Sequence, residues 1–138
     1  MIGIVIVAHG NLAREYRAAV EHVTGPQAGI VPITIFPEDD RGDKQTEICA
    51  AADGVDTGDG VVVVVDMFGG SPSNLSLRAC GAIDRRIVYG ANLPLLIKLV
   101  KSRNRSVADA VAAALQAGRK YIDSHEVAQA ADPVRSVG

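Results

Sequence analysis

His9 is the side chain in this sequence best suited to chemistry. It follows an apolar, β-branched run, Ile2 to Val7, and stands between the small residues Ala8 and Gly10. An imidazole in such an open turn, at the start of a helix, can act as a nucleophile, a base or a metal ligand. Position alone is equally compatible with a histidine that only caps the turn.

Asp66 comes directly after a second apolar run, the consecutive valines from Val61 to Val65. A carboxylate that accepts the Nδ1–H of His9 would fix the tautomer of the ring and leave Nε2 free to attack phosphorus. It would also stabilise the positive charge that develops. The simpler alternative is an aspartate that caps a turn.

A glycine-rich turn follows, in which Gly69 and Gly70 precede Ser71 and Pro72. Two glycines before a helix let backbone N–H groups approach an anion closely, and the helix N-terminus favours negative charge. Ser71 can be the N-cap, since Pro72 suits the first helical position, or its hydroxyl can donate to a phosphoryl oxygen. Such a turn becomes informative only in combination with His9 on the neighbouring strand.

The elements that position these residues alternate between strand and helix. Strands are predicted at Ile2 to Val7, Ile30 to Phe36, Val61 to Val65 and Arg86 to Tyr89. Helices are predicted at Asn11 to Val23, around Glu47, Ile48 and Ala51, through Leu75 and Leu77, at Leu93 to Lys101, and from a capping pair at Ser106 and Asp109. The polar stretch from Asp39 to Asp43 is interpreted as a turn, and Arg85 and Arg86 as solvated charge.

These elements predict a three-layer α/β domain with a mostly parallel sheet. The two most apolar strands should be central neighbours, and Pro32 places the second strand towards an edge. The strand order is then 2-1-3-4, and the connections diverge between the first and third strands. Ligands bind at such a switch point, beyond the carboxyl ends of the strands, and His9 and Asp66 follow those two ends.

The composition is that of one domain, with 138 residues of which 48 % are hydrophobic. A net charge of −2 gives no support for binding to nucleic acid or anionic membranes. No apolar stretch approaches the roughly 20 residues that span a bilayer, and the N-terminus lacks the basic region of a signal peptide. The chain is therefore predicted to be soluble and cytoplasmic. Cys49 and Cys80 are interpreted as buried thiols, and His22 and His125 as surface residues.

Three blocks of this sequence resemble the mannose-family IIA component of the bacterial sugar phosphotransferase system. They are Ala8-His9-Gly10 with Leu12-Ala13, Val65 to Asn74, and Gly90 to Leu96. The resemblance runs from Met1 to about Ser124, which implies a IIA domain at residues 1–124 and a C-terminal tail at 125–138.

The resemblance implies a phosphotransferase in which His9 receives a phosphoryl group from the carrier protein HPr, supplied by phosphoenolpyruvate through enzyme I. His9 would then pass the group to a IIB component. Asp66 would be the catalytic partner of the ring, and Gly10, Gly69, Gly70 and Ser71 would bind the phosphoryl group. The family also implies a homodimer that exchanges a late strand, contact with the membrane only through a transporter complex, and no metal or cofactor.

Two features depart from the family's pattern. Met67 and Phe68 stand where a polar residue and a tryptophan are expected, at the lip of the pocket. The sequence ends at Gly138 without a linker or a IIB domain, so we expect a free-standing IIA. It would serve a separate IIB component or act in a regulatory phosphorelay.

Three alternatives remain open at this point. A related IIA-like subunit donates phosphoryl groups to a dihydroxyacetone kinase through a similar histidine. Small tetrapyrrole chelatase domains also carry His-Gly after the first strand, where the histidine binds a metal. A non-catalytic module with the same scaffold would regulate a partner according to its phosphorylation state.

Overall fold

A computed structural model of the chain describes residues 1–67, 69–76 and 84–128. It contains a parallel sheet of four strands in the order β2-β1-β3-β4. The strands are β1 (Gly3–His9), β2 (Ile30–Ile35), β3 (Val61–Val65) and β4 (Arg85–Val88). The predicted strand order and the edge position of the Pro32 strand are confirmed.

Five helices accompany the strands in the described ranges: α1 (Leu12–Thr24), α2 (Arg41–Val55), α3 (Ser71–Ser76), α4 (Leu93–Lys101) and α5 (Val107–Lys120). Side chains from α1, α4 and α5 pack on one face of the sheet, and side chains from α2 and α3 pack on the other. Because successive strand residues point to opposite faces, the valines of β3 alternate between the two cores. All of them are buried, which confirms the three-layer architecture.

The amino-terminal part of α2 differs from the sequence-based prediction. The helix begins at Arg41, inside the polar stretch that was interpreted as a turn, and runs to Val55. Asp40 is its N-cap, and its Oδ1 accepts a hydrogen bond of 2.9 Å from the Asp43 N–H. The prediction was wrong here because aspartate and glycine favour turns, yet aspartate is also a preferred N-cap.

Several further expectations can be compared with the described residues. Ser106 caps α5 as predicted, and its Oγ accepts from the Asp109 N–H at 3.1 Å. Arg85 is not a solvated charge, since it pairs with Asp53 at 2.8 Å and Asp56 at 3.0 Å. Cys49 is half-buried, whereas Leu77 and Cys80 lie outside the described residues. None of the helices in the described ranges is long and apolar enough to cross a membrane.

A buried guanidinium stabilises the sheet at the amino-terminal ends of its strands. Arg103, in the turn between α4 and α5, is only 3 % exposed. Its Nε donates to the Ile2 carbonyl at 2.7 Å, Nη1 to the Ala28 carbonyl at 2.7 Å and Nη2 to the Gly29 carbonyl at 3.2 Å. Burial lowers the pKa of Arg103 from its usual value. The side chain thus links the turn after α4 to the starts of β1 and β2.

Replacement of this guanidinium should destabilise the fold. In Arg103→Met the three carbonyls lose their donor, and buried acceptors without a partner are costly, so we expect a loss of about 3 kcal/mol in the free energy of unfolding. Urea denaturation of Arg103→Met and of Arg105→Met, an exposed neighbour, provides the comparison. Equal midpoints for the two variants would contradict the structural role of Arg103.

Candidate functional site

The register of the sheet brings the ends of β1 and β3 to one edge. Val7 pairs with Val65, and β1 continues to His9, which pairs with Ile35 of β2. Asp66 is the first residue after β3. Since β1 lies between β2 and β3, these residues stand at the switch point where the connections diverge.

His9 and Asp66 are in direct contact at this edge. The His9 Nδ1 lies 2.7 Å from Asp66 Oδ2, and the backbone N–H of His9 donates to the same oxygen at 3.1 Å. Asp66 Oδ1 accepts from the Met67 N–H at 2.9 Å. An ionised carboxylate only accepts hydrogen bonds, so Nδ1 is the protonated nitrogen of the neutral ring. Nε2 then keeps the lone pair and is available as a nucleophile.

The His9 side chain is much more exposed to solvent than the Asp66 side chain, as attack by the imidazole on a reactant from solution requires. The His9 side chain is 51 % exposed, whereas that of Asp66 is 12 % exposed. The carboxylate is therefore held by the protein, while the imidazole is open to a reactant from solution. The arrangement is that of an oriented nucleophile with a fixed partner.

The glycine-rich turn lies against the imidazole. A Cβ added to Gly70 would stand 3.2 Å from His9 Cε1 and 3.6 Å from Nε2, so the absence of a side chain there keeps the ring edge open. Gly69, directly before it, has a positive φ of 88°, a conformation that favours glycine. Gly10, directly after His9, donates its N–H to the Ile35 carbonyl at 2.8 Å, and this bond holds the turn after β1 against the end of β2.

The start of α3 corrects one expectation. Gly70, rather than Ser71, holds the cap position, because its carbonyl accepts the first helical hydrogen bond, from Asn74 N–H at 3.0 Å. Ser71 is the first helical residue and is exposed. Pro72 then falls one position later than predicted, still within the first turn, where its missing N–H costs nothing.

Tyr16 lies close to the site, which the sequence did not indicate. Burial, and secondarily the negative charge of Asp66, raises the pKa of Tyr16. Its hydroxyl donates to the Ala91 carbonyl at 3.0 Å. In the sequence, Tyr16 shares the helical spacing of Leu12, Ala19 and Val20, which indicates only that it lies on the apolar face of the helix. No local signal in the sequence connects that face of the helix with His9 or Asp66.

Other candidate residues do not join the site. His22 and His125 are exposed, and neither has a contact with His9 among those described. Asp39 accepts from the Phe36 N–H at 2.7 Å and so shapes the turn after β2. Within the described part of the chain, no group of three or more histidine, cysteine, aspartate and glutamate side chains comes together as a metal site.

Comparison with known proteins identifies the family. The family described as "PTS system fructose IIA component" matches residues 3–116, so the chain belongs to this family. The mannose-specific EIIAB component of the phosphotransferase system of Escherichia coli (strain K12) is 30 % identical to it over 126 residues. The alignment covers 88 % of this chain and 38 % of that relative, so the chain spans well under half of its length.

Two further relatives are similar over more of their length. The sorbose-specific EIIA component of Lacticaseibacillus casei is 29 % identical over 112 residues, which cover 78 % of this chain and 79 % of the relative. The crystal structure of a phosphotransferase system component EIIA from Streptococcus agalactiae superposes with a TM-score of 0.80 at 26 % identity. That superposition covers 90 % of this chain and 97 % of the other. The predicted fold class and the resemblance are thereby confirmed.

The contact between the two side chains predicts a tautomer that can be measured. Both oxygens of Asp66 accept N–H groups, and in Asp66→Asn an amide NH₂ replaces one of them. The population of the Nδ1–H tautomer of His9 should therefore fall about tenfold relative to the Nε2–H tautomer, which corresponds to a free-energy change of ~1.4 kcal/mol. The ring ¹⁵N chemical shifts of His9 report this ratio. Asp109→Asn, an exposed carboxylate on α5, is the control. Unchanged ¹⁵N shifts in Asp66→Asn would show that the carboxylate does not set the tautomer.

Proposed function

We propose that this chain is a phosphoryl carrier of a sugar phosphotransferase system, with His9 as the residue that is phosphorylated. The observation that carries the proposal is the 2.7 Å contact between His9 Nδ1 and Asp66 Oδ2 at the switch point, in a chain of the IIA family. The half-exposed imidazole supports attack on a phosphoryl donor brought by another protein.

The proposed step is a direct displacement at phosphorus. The Nε2 lone pair forms the new bond to phosphorus while the bond from phosphorus to the donor's leaving atom breaks. His9 keeps its proton on Nδ1, so the phosphorylated ring carries a positive charge. The Asp66 carboxylate stabilises that charge through the same hydrogen bond, because charge-assisted bonds are the strong ones. Transfer to the acceptor reverses the sequence.

The phosphoryl oxygens are proposed to lie against the glycine-rich turn. Gly70 lies next to the Cε1–Nε2 edge of the ring. Gly69 and Ser71 adjoin Gly70 in the chain, and Gly10 adjoins His9. Backbone N–H groups of such a turn favour an anion, and the exposed hydroxyl of Ser71 can donate to it. The cap position of Gly70 supports this assignment, since it leaves the Ser71 hydroxyl unoccupied by an N-cap role.

The proposed partners are HPr as donor and a IIB component as acceptor. Three large apolar residues follow the carboxyl ends of β1, β2 and β3 within three positions and are 37–53 % exposed: Leu12, Phe36 and Met67. Exposed apolar residues grouped in this way are typical of a docking surface for another protein. The chain would act in the cytoplasm, in sugar transport or as a regulatory signal, and would reach a membrane only through its transporter.

A homodimer that exchanges a strand is part of this proposal. β4 lies at the end of the described sheet, and residues 122–126 after α5 form no regular element of their own chain. Ile122 is 76 % exposed and Val127 is 94 % exposed, so both apolar side chains are accessible for burial against a second copy of the chain. Sedimentation equilibrium should therefore give twice the chain mass of 14.4 kDa. A monomer at micromolar concentration would contradict the exchange.

Phosphoryl uptake provides the direct test of the carrier function. We expect the native chain to become labelled from phosphoenolpyruvate only when enzyme I and HPr are present, and the label to be acid-labile, as expected for a phosphohistidine. His9→Ala should take up no label, whereas His22→Ala and His125→Ala, which alter the other two histidines, should label normally.

Two outcomes of that experiment would decide against the proposal. Undiminished labelling of His9→Ala would exclude His9 as the acceptor. Absence of label on the native chain with all components present would exclude a IIA activity. A subsequent chase with a IIB component or with a dihydroxyacetone kinase distinguishes the two possible acceptors.

A further inference from the structure

One residue outside the assigned site is hydrogen-bonded both to the end of β3, directly before Asp66, and to α1, the helix that follows His9. Ala91, in the turn between β4 and α4, donates its N–H to the Val65 carbonyl at 3.0 Å. Its own carbonyl accepts the Tyr16 hydroxyl at 3.0 Å. Val65 directly precedes Asp66, and Tyr16 belongs to the helix that starts after His9. The peptide groups of Ala91 therefore connect the end of β3 to α1.

Loss of the Tyr16 hydroxyl would remove the hydrogen bond between α1 and the Ala91 carbonyl. The ring packs against the core formed by α1, α4 and α5, and the phenol is part-buried. Burial, and after it the negative charge of Asp66, raises the pKa of the phenol. Tyr16 therefore stays protonated at neutral pH and remains a donor to Ala91 rather than a second charge beside Asp66.

We propose that Tyr16 is a positioning residue for the His9–Asp66 pair, acting through the Ala91 peptide. The hydrogen bond from Tyr16 to Ala91 fixes α1 relative to the end of β3, and this sets the geometry between the imidazole and the carboxylate. The inference rests on the proposed phosphoryl transfer for its kinetic consequence. Its structural consequence, the tautomer of His9, does not depend on that function.

The variant Tyr16→Phe removes only the hydroxyl and leaves the ring in the core. We expect the Nδ1–H population of His9 to fall and the rate of phosphoryl uptake from phospho-HPr to drop about three- to tenfold, the range expected for one hydrogen bond. Ring ¹⁵N shifts and rapid-quench labelling measure the two effects. Tyr121→Phe, at an exposed tyrosine after α5, is the matched control and should match the native chain in both.

A double-variant cycle separates positioning from general stability. If Tyr16 acts through the pair, Tyr16→Phe should slow transfer far less in an Asp66→Asn background than in the native background, because the two changes share one effect. Effects that multiply independently would overturn the proposal, as would a Tyr16→Phe variant with native ¹⁵N shifts and native rate.

The outcomes also separate this inference from the carrier function. If the native chain takes up no phosphoryl group, the proposed function fails, yet the ¹⁵N shifts still test Tyr16. If the native chain is labelled and Tyr16→Phe behaves like Tyr121→Phe in both measurements, only the role of Tyr16 is overturned.

Discussion

The parallel pairing of β1 with β3 is the constraint on which the site depends. The pairing runs from Gly3 opposite Val61 to Val7 opposite Val65. It therefore brings the carboxyl ends of both strands to the same side of the sheet. A slip of one residue would turn every side chain of β1 to the other face and move His9 away from Asp66. Gly3 helps to fix the register, because a Cβ at this position would clash with the Val55 carbonyl at the end of α2. Packing at the start of the strand thus determines chemistry at its end.

The two edges of the sheet use polar groups in opposite ways. At the amino-terminal edge the Arg103 guanidinium is buried, and backbone carbonyls accept from each of its three nitrogens, so it serves stability. At the carboxyl-terminal edge the His9 ring is half-exposed, and the contact with Asp66 occupies Nδ1. A buried charge without hydrogen bonds would be very costly, whereas a half-exposed neutral nitrogen costs little. This difference leaves the imidazole open to solvent while the other end of the sheet is held fixed.

Most of the framework, but less of the site, could be predicted from the sequence. The valine run of β3 and the helix Leu93–Lys101 have strong patterns, and both were found with their observed bounds. The length of α2 was underestimated because few of its residues are buried and its first turn depends on a capping hydrogen bond within a stretch that resembles a turn. The approach of Gly70 to His9 was expected from the switch-point topology, whereas the bond from Tyr16 to Ala91 joins residues far apart in the chain and was not expected. No local pattern encodes that bond, because it arises only when the layers pack.

The backbone, more than side-chain identity, holds the pair in place. Met67 departs from the pattern expected at the lip, yet its contribution to Asp66 is its N–H, which any residue except proline supplies. Ala91 likewise acts through its peptide groups, and its position depends on Gly90, whose φ is 76°, and on Asn92, the cap of α4. The exposed Met67 side chain is therefore not the group that holds Asp66. Replacement of Met67 by any residue except proline should therefore leave the geometry between His9 and Asp66 unchanged.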